Sequence, residues 1–75
     1  MDKFEYISVS IHTKERYRTI WKIEDGISER LIEVEVGRVD MNKALLGILN
    51  ILGNDGWSLS TQPLHYRLFM QRKFT

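Results

Sequence analysis

The chain has no cysteine, one proline and no long apolar run. Without cysteine there is no disulfide, no thiolate metal site and no cysteine nucleophile. The most apolar tract, ALLGILNIL at 44–52, is too short to span a bilayer. The opening MDKFEYISVSI has no continuous apolar core of the signal-peptide type. A soluble cytoplasmic protein without membrane association is the expectation. Neither sign of charge dominates: eleven basic and ten acidic residues leave a net +1. Residues 1–40 carry seven basic and nine acidic side chains, and residues 41–75 carry four and one. That tilt is well short of the basic footprint usual in nucleic-acid binders.

What the chain does have is the composition of a folded domain, 43% hydrophobic and 28% charged. Seventy-five residues make one domain near the lower limit of independent folding, so oligomerisation is a natural supplement to its core.

Period-two alternation predicts a first strand near 3–12, with Ile7, Val9 and Ile11 on one face and Phe4, Tyr6, Ser8 and Ser10 on the other. Strands near 16–24 and 27–36 flank Asp25-Gly26, a two-residue hairpin signal. A turn centred there pairs Trp21 with Arg30, Thr19 with Ile32 and Tyr17 with Val34 on an apolar-leaning face. The other face pairs Lys22 with Glu29, Arg18 with Glu33 and Arg16 with Glu35. A helix is predicted near 41–52, capped by Asp40 and closed by Gly53 as the left-handed residue. Its apolar face holds Met41, Ala44, Leu45, Ile48, Leu49, Ile51 and Leu52, with Lys43, Gly47 and Asn50 opposite and Leu46 pointing to the polar side. Strands near 57–61 and 65–74 then form a hairpin that pairs Trp57 with Met70, Leu59 with Leu68 and Thr61 with Tyr66 on the core side. The expected architecture is α+β: one antiparallel sheet of about five strands, in the order β-β-β-α-β-β, with one helix on one face.

The tract LNILGNDGWSLS, with Leu49, Asn50, Leu52, Gly53, Gly56 and Trp57, resembles a family of small bacterial and phage-encoded domains known only as a domain of unknown function. The opening strand FEYISVSI and the closing strand YRLFMQRKF, ending on Arg72 or Lys73, fit the same pattern. The resemblance covers roughly half the chain. It implies a glycine-closed helix, a turn at the second glycine and a tryptophan dropping into the core. It brings no catalytic or binding residue.

Several constellations that could carry chemistry also have plainer readings. In the last strand, Phe69 could stack a base while Arg67 and Lys73 meet phosphates and His65 and Gln71 read base edges. A solvated outer face, with Lys and Arg discouraging edge pairing, explains the same residues and is favoured. His12 and His65 share no metal-ligand spacing with Glu15 or Asp55, so no metal and no cofactor is expected. Ser58 and Ser60 lie near His65 without a nucleophile elbow, so no catalytic residue and no enzyme activity is expected. Glu24, Asp25, Glu29, Glu33 and Glu35 are mostly answered by Arg16, Arg18 and Lys22. Gly53 and Gly56 are not a phosphate loop, because no helix follows them.

One helix cannot cover both sides of a five-stranded sheet. Phe4, Tyr6, Leu46, Arg67, Phe69 and Lys73 are therefore the candidate partner surface. The expected function is a non-enzymatic module that self-associates or docks another protein. A weak nucleic-acid binder and a small-ligand binder at an oligomer interface are the alternatives.

Overall fold

The computed structural model describes residues 3–35, 40–61 and 66–74. The alternating stretch Lys3–Lys14 forms the longest strand, β1. Ile7 and Val9 are buried, whereas Phe4 and Tyr6 stay exposed, as alternation requires of a strand covered on one side. Then come β2 (Arg18–Glu24), β3 (Glu29–Glu35), α1 (Met41–Asn54), the two-residue β4 (Ser58–Leu59) and β5 (Arg67–Phe74). The sheet order is β3-β2-β1-β5-β4 with every neighbouring pair antiparallel. The chain leaves β3 at one edge, crosses the sheet in α1 and returns as β4 at the other edge. β5 then fills the place beside β1. This is the expected α+β domain, a five-stranded antiparallel sheet with one helix on one face. Arg16 and Tyr17 fall just before β2, and positions 36 and 65, expected in strands, lie outside the described residues.

Ala44, Ile48 and Leu52 recur at helical spacing and are fully buried against Val9, Trp21, Leu68 and Met70 of the sheet. Asp40 caps the helix, its Oδ1 accepting from the Asn42 N–H at 2.9 Å. Gly47 was expected on the polar side. Instead, a β-carbon there would lie 2.7 Å from Cγ1 of Val34 on β3. The helix edge approaches the sheet so closely that only glycine fits without displacement.

Three expectations are corrected. Gly53 is inside the helix, and the left-handed residue is Gly56, at φ +92°. The Gly56 N–H donates to Gly53 O at 3.0 Å and the Trp57 N–H to Leu52 O at 3.1 Å, the paired bonds of a Schellman motif. Gly53 was expected to close the helix in the left-handed conformation and Gly56 to make the turn, but only Gly56 has positive φ.

The buried tryptophan is Trp21, not Trp57. Trp21 sits mid-sheet under the helix, and its Nε1–H donates to Thr19 Oγ1 at 2.8 Å, so its polar atom is satisfied without water. Trp57 is half-buried at the helix exit, where the Arg72 guanidinium lies 4.4 Å from its ring centre.

Both hairpin registers differ by two residues from expectation. Trp21 pairs with Ile32 and Thr19 with Val34, and Leu59 pairs with Met70 rather than Leu68. Glu24 faces Glu29, so the first turn is centred on Gly26–Ile27. Positive φ falls at Gly26 (+94°) and not at Asp25 or Ile27, which excludes the type I′ turn assumed from Asp25-Gly26. Asp25 serves as an acceptor instead: its Oδ1 takes the N–H groups of Ile27 and Ser28, each at 2.8 Å.

Candidate functional site

The face opposite the helix is uncovered. On β1 it presents Phe4, Tyr6, Ser8 and Ser10, and on β5 Arg67, Phe69, Gln71 and Lys73. The register sets Phe4 opposite Lys73, Tyr6 opposite Gln71, Ser8 opposite Phe69 and Ser10 opposite Arg67. Phe69 is thus the diagonal neighbour of Tyr6, within reach of an aromatic side chain. Phe4, Tyr6 and Phe69 are 43%, 56% and 47% exposed. Because β1 and β5 are adjacent inside the sheet, the three rings form one patch instead of being scattered along an edge. The sequence already set all three on the uncovered face; the pairing of β5 with β1 makes them neighbours.

Five of the six expected surface residues share this face. Leu46 does not join them. It is 58% exposed on the solvent side of α1, and α1 covers the opposite side of the sheet. His65 lies outside the described residues.

Charge is divided across the same face. β2 and β3 point Arg18, Lys22, Glu24, Glu29, Glu33 and Glu35 outward, two basic against four acidic. β5 contributes Arg67 and Lys73, and the β1–β5 half has no acid on this face. The open face is therefore neutral in sum, negative at β2–β3 and positive at β5. Arg18 bridges Glu15 and Glu33, donating to Glu33 Oε1 at 3.0 Å. The hydrogen bond that Arg18 donates to Glu15 holds the Glu15 carboxyl below its ordinary value, and the hydrogen bonds to Glu15 and then Glu33 raise Arg18 further. Lys22 lies 3.0 Å from Glu24 and 3.9 Å from Glu29, and these carboxylates raise its pKa. Arg18 and Lys22 thus answer the glutamates as expected, although across diagonals. Arg16 instead lies 5.4 Å from the Tyr17 ring centre. Among the described residues no ion pair involves Arg67.

The sequence did not foresee a second feature. An open concavity of about 690 Å³ lies between the β2–β3 turn and the helix exit, lined by Ile7, Ile23, Ile27, Arg30, Trp57 and Arg72, among others. Arg72 stacks on Trp57, pairs with Glu5 at 2.5 Å and donates to Asp55 O at 2.9 Å. Its Nε, Nη1 and Nη2 groups hold the helix exit against β1, so it supports the wall. The lining comes from four separate stretches, so no local motif signals it.

Among the described residues no group of three or more His, Cys, Asp or Glu is placed to hold a metal, and no helix is long and apolar enough to cross a membrane. No known protein family matches the chain, and no curated protein or solved structure matches it either.

Proposed function

We propose that the chain is a non-enzymatic protein-interaction module of the cytoplasm, which docks its partner on the β1–β5 face opposite the helix. The observation that carries this reading is the aromatic patch of Phe4, Tyr6 and Phe69, set on two adjacent strands and left uncovered. An exposed patch rimmed by polar groups is the usual mark of an interface, and aromatics supply large contact area at little entropic cost.

Three aromatics beside Arg67 also match the platform on which single-stranded nucleic acid stacks its bases. The charge decides between the two. A face with equal numbers of acids and bases attracts a phosphate chain weakly, and the acidic half would repel any strand extending past β1. The test places a photoreactive phenylalanine analogue at position 69 in living cells. A discrete protein adduct at position 69, lost in a Tyr6→Ser background, is expected. An adduct consisting of nucleic acid, or none above that of an analogue at exposed position 46, overturns the reading.

A further inference from the structure

We infer that the open edge of β3 is a second docking site, separate from the aromatic face, where an extended basic segment of another protein adds as a sixth strand.

The backbone groups at that edge follow from the register. In an antiparallel pair, residues that exchange backbone bonds with their opposite number alternate with residues whose N–H and C=O point away. The Asp25 N–H donates to Ser28 O at 3.2 Å, which makes Asp25 and Ser28 a bonded pair. By alternation Arg30, Ile32 and Val34 bond to β2. Glu29, Leu31, Glu33 and Glu35 then aim their N–H and C=O groups out of the sheet. The same alternation, carried across β2 and β1, turns the Ile11 N–H towards β5. It does donate that way, to Tyr66 O at 3.3 Å. Among the described residues no strand lies beyond β3.

Little in β3 blunts this edge. The strand ERLIEVE has no proline, glycine or lysine, and its register with β2 runs without a bulge. What it has is charge of one sign. The side chains of the four outward-bonding residues are Glu29, Leu31, Glu33 and Glu35, all on the face away from the helix. Behind them on β2, Arg18 bonds Glu15 and Glu33, and Lys22 meets Glu24 and Glu29. No ion pair among the described residues reaches Glu35. Two β3 strands in full antiparallel contact would set Glu29 against Glu35, which opposes self-pairing. A basic strand in the same place meets three carboxylates. The backbone supplies the attachment and the charge selects the occupant.

The register also gives the occupant's pattern. In antiparallel addition, the residues opposite Glu35, Glu33 and Glu29 are basic, and the residue opposite Leu31 is apolar. Those between fall on the helix side, where Val34 is buried and Ile32 half-buried. Apolar residues therefore belong opposite these two. From its N-terminus the segment reads basic, apolar, basic, apolar, apolar, any residue, basic.

The test is a titration of the whole chain with a synthetic heptapeptide of that pattern, Lys-Val-Lys-Ile-Leu-Thr-Lys, followed by nuclear magnetic resonance. Shifts that saturate below about 1 mM are expected. Amide exchange at Leu31, Glu33 and Glu35 should slow, and the ring resonances of Tyr6 and Phe69 should stay in place. Methylating the peptide nitrogen of the third or fifth residue, which faces β3, should weaken binding about ten-fold. Methylating that of the fourth, which faces water, should leave affinity nearly unchanged. Glu35→Lys should weaken the peptide about three-fold, and a peptide with glutamate in first place should bind this variant better than the parent.

An absence of saturation overturns the inference, as does an equal loss from methylation at the third and fourth residues. Shifts centred on Tyr6 and Phe69 overturn it too, because the peptide would then lie on the aromatic face. The two readings fail separately. Loss of the edge leaves the photo-adduct at position 69 unaffected, and loss of that adduct leaves strand addition at β3 unaffected.

Discussion

Met70 and Phe69 are neighbours on β5, yet Met70 is 2% exposed beneath the helix and Phe69 is 47% exposed on the far side of the sheet. The same contrast runs along β1, where Ile7 and Val9 are buried and Phe4 and Tyr6 are not. Alternation alone accounts for the division but not for what stands on the outer side. On β2 and β3 the outer side carries mostly charges, with Arg18 and Lys22 pairing to glutamates, and Ile20 and Leu31 among them. On β1 and β5 it carries three aromatics, two serines, a glutamine and two cations. One half of the outer face is built for water and the other for contact. The helix-side core holds the fold together without using either.

The largest effect that would break this division concerns the two tryptophans. Trp21→Ala empties a fully buried site and should cost about 3–5 kcal/mol, most of the stability of a small domain. Trp57→Ala should cost about 1–2 kcal/mol, since Trp57 is half-buried and leans partly on Arg72. Urea unfolding ranks them, and a costlier Trp57→Ala would move the centre of the core to the helix exit.

Next is Gly47→Ala. Helix propensity alone would favour alanine by about 1 kcal/mol. The added methyl meets Val34, a stiff and buried side chain, so a net loss of about 1–2 kcal/mol is expected. Val34→Ala in the same chain should recover part of it, giving a favourable coupling in the double-mutant cycle. If Gly47→Ala stabilises the protein, the helix does not sit as closely on the covered face as described.

Much of this was readable in the sequence. Alternation put Phe4, Tyr6, Ile7 and Val9 of β1, the paired residues of β2 and β3, and residues 67–71 of β5 on their correct faces, because a slip of two residues leaves faces unchanged. For the same reason the faces could not report the slip. Both hairpins were placed two residues off, the first because Asp25 looked like a turn centre when its carboxylate was an acceptor for the turn. Burial depth was harder still. Trp21 and Trp57 both fall on the apolar side in the sequence pattern, and only the strand order puts Trp21 mid-sheet and Trp57, just before β4, at a corner. The aromatic patch needed that order too. Phe4 and Tyr6 lie more than sixty residues from Phe69 in the chain, and nothing local says that β5 returns beside β1. Leu46 was grouped with them as an outward residue, though outward from the helix is the other side of the molecule.

A smaller effect sharpens the account of the first turn. The Ser28 N–H, and then that of Ile27, hold the Asp25 carboxyl below its ordinary pKa. Folding therefore favours the ionised form. The resulting stabilisation is complete above the unfolded pKa of about 4 and is lost as pH falls through the folded value. The melting temperature of Asp25→Asn should fall less steeply than that of the parent below about pH 4, with the two curves parallel near neutrality. Equal acid slopes would mean that the carboxylate does not anchor the turn.

The division between the faces is tested most directly by melting Phe69→Ser beside Met70→Ser, both dilute enough to be monomeric. Adjacent positions on one strand receive the same new residue, so the difference in strand propensity between them is small beside the difference in burial. Phe69→Ser should lose no more than about 1 kcal/mol, or about 4–8 °C in a domain of this size. Met70→Ser should lose about 2–5 kcal/mol and leave little folded protein at 37 °C. A Phe69→Ser variant that melts as early as Met70→Ser would contradict the account, because Phe69 would then belong to the core and its face would not be free for a partner.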